Sequence, residues 1–349
     1  MTASPHTPGS WLIAVLVLLL IRPPPVSADN SSTMRLSGVD YLGDLPTLIA
    51  DRNGHFQQSG LAIEVQYTDS GKANLQRLRN GRVDYALMAL TPLVIDTLED
   101  NTPGEPNDPV ILASLVHASH FNHVVTLAER IQTARALQGG RVGMAKGTNA
   151  ELVWWLFSAY HKLDKSAITL VDYPIDKLPQ ALLNGAIDAA VMWQPWVAKL
   201  SAQADTGLLK LPGSNVYTAK WLLVSRREVV DQHPEVTRTL LNAYQAAIDD
   251  IARNPDAVLQ QYADRAGIDA QHFADSWQNL AYALNLDWSL ITTFQQQQAW
   301  AYQMGYGDGH PSGPSRILPL LAPAALRSIA PSAVGLPLNM TWQRSLAPE

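Results

Sequence analysis

The chain has 349 residues, 47% of them apolar and 16% charged, with 25 Lys and Arg against 31 Asp and Glu and no cysteine. The net charge of −6 argues against a phosphate backbone as the main partner. The lack of cysteine excludes disulfides, thiolate metal sites, iron–sulfur clusters and a cysteine nucleophile. The length is about two domains' worth, and past the first two dozen positions no apolar run approaches the ~20 residues that span a bilayer.

Trp11 to Ile21 is a run of 11 apolar residues, followed by Arg22-Pro23-Pro24-Pro25 and Val26-Ser27-Ala28. Such a run is too short to span a membrane and matches the apolar region of an export signal cut after Ala28. Residues 1–28 are therefore expected to be a cleaved signal peptide, leaving 349 − 28 = 321 residues free in the periplasm.

From Met34 onward β-type runs alternate with helical ones, the pattern of an α/β protein. Met34–Val39 reads as a strand, Pro46–Asn53 as a helix, Ala62–Tyr67 as a strand, Gly71–Arg79 as a helix and Val83–Leu87 as a strand. A helix follows from about Pro92; Asn101–Pro109 is a loop, and Val110–Val116 and Val124–Leu127 are strands. A second set repeats the alternation: Arg141–Met144, Ile168–Val171 and Ala189–Val191 as strands, with Asn149–His161, Pro179–Leu183 and a segment after Pro195 as helices. Leu208–Leu211 and Trp221–Val224 are short strands. Pro234 to about Tyr302 reads as mostly helical, with Val236, Leu240, Leu241, Tyr244, Ala247, Ile248 and Ile251 on one stripe. The proline- and glycine-rich end predicts short surface helices and then a poorly ordered tail.

Leu78–Met88 aligns with Leu182–Met192 at an offset of 185 − 81 = 104 residues, sharing Asn-Gly, Asp, Ala and Met. Each copy reads as a helix end, an Asn-Gly cap and a strand beginning with an aliphatic-Asp step. Two similar α/β lobes of about 100 residues each follow. Ligand sites of such folds lie at the carboxyl ends of strands.

The stretch Tyr41-Leu42-Gly43-Asp44-Leu45-Pro46, Asn53-Gly54-His55-Phe56, Gly60-Leu61-Ala62-Ile63-Glu64-Val65 and Ser70-Gly71-Lys72 resembles the opening of periplasmic substrate-binding proteins of the nitrate/sulfonate/taurine ABC transporters. The twin Asn-Gly elements, Lys146-Gly147-Thr148-Asn149, Trp193-Gln194-Pro195-Trp196, and the passage from Ser225 through Pro234-Glu235-Val236 to Asn254-Pro255 are similar to the same family, over residues 34–305. Gln194 stands where relatives often carry an acid. The resemblance implies a periplasmic binding protein-like type II fold: two lobes, a central ligand cleft and a two-strand hinge. Lobe 1 would comprise 29–118 and 217–310, lobe 2 119–216, and 311–349 would be surface helices and tail. The hinge crossovers would lie near His117–Asn122 and Val216–Lys220.

Loops from strand ends into helix starts present free N–H groups and a positive dipole end, which suit an anion. Candidate ligand-binding residues are therefore Tyr41, Gly43 and Asp44, where Tyr41 stacks and Asp44 caps the helix or holds an amine; Ser70 and Gly71; and Leu90 and Thr91. In lobe 2 they are Gly147, Thr148, Asn149, Trp193 and Gln194, with Trp221 past the return crossover. Lys146, Asp172 and Tyr173 are weaker candidates. His117, His120 and His123 sit three apart on an extended segment, a spacing that does not converge on a metal. Asp84 and Asp188 could pass for paired carboxylates, but their places in the repeat point to turn and cap roles. There is no G-x-S-x-G, H-E-x-x-H or Walker motif.

No catalytic residue, cofactor or metal is expected. The leading reading is a monomeric solute-binding component that binds no nucleic acid, captures a small organic anion or zwitterion (sulfonate-, taurine- or nitrate-like) and presents it to an ABC permease in the inner membrane. The alternatives are an enzyme on the same fold, such as a pyrimidine-precursor synthase or small-molecule lyase, and a ligand sensor for a membrane kinase.

Overall fold

The structure, a computed structural model, describes residues 1–2, 33–99, 105–204, 207–214, 217–308 and 316–336. Residues 3–28 of the expected export signal and its cut after Ala28, residues 101–104 of the 101–109 loop, Val216 of the return crossover and the tail beyond 336 lie outside the described residues.

In chain order the first elements are β1 (Met34–Val39), α1 (Leu45–Arg52), α2 (His55–Gln58), β2 (Ile63–Thr68), α3 (Gly71–Arg79), β3 (Tyr85–Ala89), α4 (Leu90–Glu99) and β4 (Pro109–Ala118). The second set is β5 (Asn122–Leu127), β6 (Arg141–Met144), α5 (Asn149–Tyr160), β7 (Thr169–Asp172), α6 (Leu178–Leu183), β8 (Ala189–Trp193), α7 (Trp196–Ser201) and β9 (Leu208–Lys210). The chain then returns through β10 (Ala219–Arg226), α8 (Arg227–Gln232), α9 (Pro234–Arg253), α10 (Pro255–Ala266), α11 (Ala274–Trp277), β11 (Leu280–Asp287), α12 (Trp288–Gln303), α13 (Ala324–Ile329) and β12 (Val334–Gly335).

Among the described residues the strands form two sheets, one ordered β12-β11-β4-β10-β3-β1-β2 and the other β7-β6-β8-β5-β9. Five consecutive positions correspond: β2-β1-β3-β10-β4 in one and β7-β6-β8-β5-β9 in the other. In each the first three strands are parallel and the fourth is antiparallel. Each parallel trio carries helices in its connections, as parallel strands require. The central strand β10 is buried along all eight residues; its apolar middle, Trp221–Val224, is the part that reads as a strand, while Lys220, Ser225 and Arg226 are buried with it. The stripe on α9 buries Leu240, Leu241, Tyr244, Ala247, Ile248 and Ile251.

The repeat has a structural counterpart beyond its turn. Gly81 (φ 64°) and Gly185 (φ 72°) take the left-handed conformation after the helix caps Asn80 and Asn184. Asp84 and Asp188, expected as turn or cap residues, instead clamp the neighbouring strand. Asp84 accepts the Arg35 N–H at 2.8 Å and Asp188 the Arg141 N–H at 2.7 Å. The same arginines donate from their guanidinium groups to the Gly81 and Gly185 carbonyls, at 3.0 and 2.7 Å. The registers that result are equivalent, Leu36 opposite Tyr85 and Val142 opposite Ala189.

Two segments differ from the sequence expectation. Leu280–Asp287, within the stretch read as mostly helical, is a strand paired antiparallel with β4. Its apolar residues Leu280, Tyr282, Leu284 and Leu286 alternate with period two, a strand pattern masked by the helices on either side. The end of the chain is more than surface dressing: Leu326 on α13 is fully buried, and β12 adds a parallel strand beside β11.

Candidate functional site

The carboxyl ends of the parallel strands from both sheets face one another. The first lobe contributes Val39 at the end of β1, Tyr41 in the turn after it, Ser70, Gly71 and Lys72 at the start of α3, Ala89 at the end of β3 and Pro92 in α4. The second contributes Thr148 and Asn149 at the start of α5 and Trp193 at the end of β8. Phe121 from the outgoing crossover and Trp221 of β10 complete the lining of a space of about 310 Å³, part of it open to solvent.

Two helices start at this space. Ser70 caps α3 by accepting the Ala73 N–H at 3.3 Å, and Thr148 caps α5 by accepting the Ala150 N–H at 3.2 Å while donating to the Ala145 carbonyl at 2.7 Å. Asn149 is held by its amide donating to Asn122 Oδ1 at 3.1 Å. Gly71 is required for the approach of α3 to its strand, since a Cβ there would lie 2.8 Å from Met88 Cα. Among the described lining residues Lys72 is the one charged side chain. Its ammonium donates to the Lys146 carbonyl at 2.9 Å, across the seam between the lobes.

The opposite wall is aromatic. Phe121 and Trp221 meet edge-to-face at 4.5 Å between centroids, and Tyr41 lies 5.6 and 5.5 Å from them. Gly43 does not line the space but stands behind this wall, where a Cβ would come 2.3 Å from the Tyr41 ring and 2.7 Å from Trp221. Burial, reinforced by the nearby Asp44 carboxyl, holds the Tyr41 phenol well above its usual pKa, so it stays protonated.

Asp44 also sits behind the wall, 1% exposed, accepting the Val39 N–H at 2.7 Å and the Thr47 hydroxyl. Thr47 in turn contacts the Tyr244 hydroxyl at 2.8 Å. Burial drives the Asp44 pKa well above the carboxylate range. Its oxygens tie strand β1 to helix α1 and do not face the space. Leu90 and Thr91 are fully buried in α4. Gly147 (φ 72°) lies under Lys72, in an adjoining groove with Lys146 and Tyr306. Gln194 caps α7 by accepting the Ala198 N–H at 3.1 Å, and its amide donates to the His272 carbonyl at 3.4 Å.

Of the thirteen candidates, Tyr41, Ser70, Gly71, Thr148, Asn149, Trp193 and Trp221 come together here, while Gly43, Asp44, Leu90, Thr91, Gly147 and Gln194 do not line the space. Val39, Lys72, Ala89, Pro92 and Phe121 line it without having been singled out. Lys72 had a signal in the Ser70-Gly71-Lys72 triplet, and Phe121 in its place between the crossover histidines. Lys146 and Asp172 pair with each other, the Asp172 carboxylate accepting the Lys146 N–H at 2.9 Å, and Tyr173 is outside the lining. The three histidines diverge: His117 contacts Lys220 Nζ and Asn285 Nδ2, each at 3.3 Å, whereas His123 is buried. Among the described residues no group of three or more His, Asp or Glu side chains is placed to hold a metal.

A family model described as NMT1/THI5 like matches residues 44–258, and the chain belongs to that family. A Brucella abortus (strain 2308) protein named as a binding protein is 22% identical over 253 residues, covering 70% of this chain and 74% of that one. The alkanesulfonate-binding protein SsuA from Xanthomonas axonopodis pv. citri, bound to MOPS, superposes with a TM-score of 0.69 at 14% identity, over 83% of this chain and 98% of that one. The periplasmic nitrate-binding protein NrtA from Synechocystis PCC 6803 gives a TM-score of 0.68 at 16% identity, over 87% and 89%. The chain thus has the two-lobed α/β periplasmic binding protein fold.

Proposed function

We propose that this member of the NMT1/THI5-like family is a periplasmic solute-binding protein of an ABC importer, which encloses a small organic anion between its lobes and hands it to an inner-membrane permease. The observation that carries the reading is the meeting of two capped helix starts and the Lys72 ammonium on one side of a space whose other wall is Tyr41, Phe121 and Trp221. The N–H groups of α3 and α5 and the Lys72 charge would take the anionic end. The rings would take an apolar body and keep water out.

The lining, among the described residues, offers no carboxylate to an ammonium, and the Asp44 oxygens are engaged behind the wall. An organic anion therefore suits the site better than a zwitterion such as taurine. Ligand capture by lobe closure needs only differential contacts in the closed state. The molecule works as a monomer in this reading, and residues 29–118 with 217–310 and residues 119–216 act as the moving lobes.

The test is a thermal-shift panel of alkanesulfonates, taurine, nitrate, amino acids, polyamines and pyrimidines, with each compound recovered and analysed afterwards. A ligand at 100 times its dissociation constant adds about 2.7 kcal/mol. An alkanesulfonate that shifts the melt and is recovered unchanged supports the reading. Shifts from amines alone overturn the anion assignment, and a consumed compound turns the case to an enzyme.

A further inference from the structure

Helix α5 opens with Thr148-Asn149-Ala150-Glu151, the residue order of a capping box. In such a box the acid reaches back to the N–H of the capping residue, here Thr148. Glu151 does not. Its Oε2 accepts the N–H of Gly147, one residue earlier, at 2.9 Å, and the Tyr306 hydroxyl at 2.7 Å. The residue is 6% exposed, and these are the hydrogen bonds its carboxylate makes among the described residues.

The displacement decides which backbone donors stay free. The Lys146 N–H goes to the Asp172 carboxylate at 2.9 Å and the Gly147 N–H to Glu151. The Ala150 N–H goes to the Thr148 hydroxyl and the Glu151 N–H to the Thr148 carbonyl, each at 3.2 Å. The N–H groups of Thr148 and Asn149 have no acceptor among the described residues, and both residues line the cleft. A box closed in the usual way would spend the Thr148 N–H on a carboxylate and set a negative charge where an anion is to dock.

Tyr306 is placed to hold the acid off. It follows α12, between Gly305 (φ 86°) and Gly307 (φ 66°), and its N–H donates to the Ala301 carbonyl at 3.0 Å. A Cβ on Gly307 would lie 2.6 Å from the Leu98 carbonyl oxygen, so the turn is pressed onto α4 beside the first sheet. Gly147 and Glu151 sit on the side of the second sheet. The hydrogen bond from Tyr306 to Glu151 therefore crosses the seam and is lost when the lobes part.

We propose that Glu151 is a positioning residue that couples lobe closure to the anion site. With the lobes closed, Tyr306 and Gly147 hold its carboxylate away from Thr148; with the lobes apart, it returns to the Thr148 N–H and competes with the anion for that donor. The proposal rests on the reading of the cleft as an anion site. Closure then uncovers a donor that the open chain keeps for itself, and opening helps to expel the ligand.

The experiment compares the full chain as wild type, Tyr306→Phe, Glu151→Gln and the double variant. Proton–nitrogen correlation spectra without ligand follow the Gly147 and Thr148 amides. In Tyr306→Phe the Thr148 amide proton should move downfield and the Gly147 one upfield as the carboxylate changes partner; in the double variant, where a neutral amide replaces the carboxylate, the Thr148 shift should be much smaller. Calorimetric titration with methanesulfonate should show Tyr306→Phe binding about fivefold more weakly than wild type, but within about twofold once Glu151→Gln is already present. A Thr148 amide that stays in place in Tyr306→Phe overturns the exchange, as does the same fivefold loss in both backgrounds, which is what a purely structural tie would give. The amide readout uses no ligand, so it decides this proposal even if methanesulfonate binds none of the four chains, a failure that would count against the cleft reading.

Discussion

The Lys72 ammonium and the Lys146 carbonyl meet at 2.9 Å, joining the start of α3 in one lobe to the strand-end loop of the other. The hydrogen bond stands at the mouth of the space that both helix starts face, so the one lining cation also holds the seam. Replacing it removes charge and closure together. Lys72→Met should weaken anion binding about five- to tenfold and flatten its dependence on ionic strength, with little change in the melting temperature without ligand. Lys72→Arg should keep the salt dependence. Calorimetric titration at several salt concentrations is the check, and an unchanged affinity in Lys72→Met would remove Lys72 from the site.

A second tie runs beside it. Glu151 Oε2 accepts both the Gly147 N–H at 2.9 Å and the Tyr306 hydroxyl at 2.7 Å. Tyr306→Phe should cost about 1 kcal/mol, whereas Glu151→Ala, which strands the Gly147 N–H, should cost about 1–3 kcal/mol. Denaturant unfolding of both single variants and the double variant measures the Tyr306–Glu151 coupling, and strict additivity would show that this hydrogen bond contributes nothing to stability.

Asp44 predicts a pH effect of the opposite sense to most carboxylates. Its folded pKa is raised by burial, so the folded chain holds the proton more tightly than the unfolded one. Its contribution is therefore greatest below the ordinary pKa of about 3.9 and is lost as pH rises through the folded value. Asp44→Asn keeps a carbonyl for the Val39 N–H and an amide donor for Thr47, and should gain on the wild type as pH increases from 4 toward neutrality. Asp44→Ala should lose at every pH. Melting curves across that range decide it; a constant offset between Asp44→Asn and wild type would contradict the buried-acid reading.

His123 gives the complementary case. Burial lowers its pKa to about 3, below the ordinary ~6.5 of an exposed imidazole. The unfolded chain binds the proton first, so stability is full above about 6.5 and falls as pH drops toward 3, by up to about 1.4 kcal/mol per unit. At pH 5 the loss should be about 2 kcal/mol. In His123→Gln the stability curve over this window should flatten, and an unaltered slope would assign the acid sensitivity to other groups.

Gly43→Ala tests the aromatic wall. A Cβ 2.3 Å from the Tyr41 ring must displace it, at about 1–3 kcal/mol of stability and a loss of ligand affinity. Tryptophan fluorescence reports the shift at Trp221, and an unperturbed spectrum would mean that the wall yields elsewhere.

The duplicated Asn-Gly and Asp pattern was visible in the chain because it is local: a helix stop, a left-handed glycine and a strand start lie within eleven residues. The arginine half of each clamp was not, because Arg35 and Arg141 lie 49 and 47 residues away from Asp84 and Asp188 and meet them only through parallel strand pairing. The same distinction separates the candidate residues. Ser70 and Thr148 were legible as residues at helix starts, and the caps they form lie beside their helices in sequence. Asp44 carried the same kind of signal, yet its oxygens turn inward to Val39 and Thr47, whereas Gln194, with no such signal, accepts the Ala198 N–H of α7 and donates to His272.

What the amino-acid order determined by itself was thus the alternation of strands and helices, the paired lobes and the helix starts suited to an anion. These follow from periodicity and capping over a few residues. Which side chains face the space was decided by tertiary structure. Lys72 lies beside Lys146 because the lobes meet at the ends of two separate sheets, and Phe121, Tyr41 and Trp221 form one wall because the crossovers bring distant segments together. Packing and burial over such separations leave no periodic trace in the chain; they are settled only when both sheets are in place.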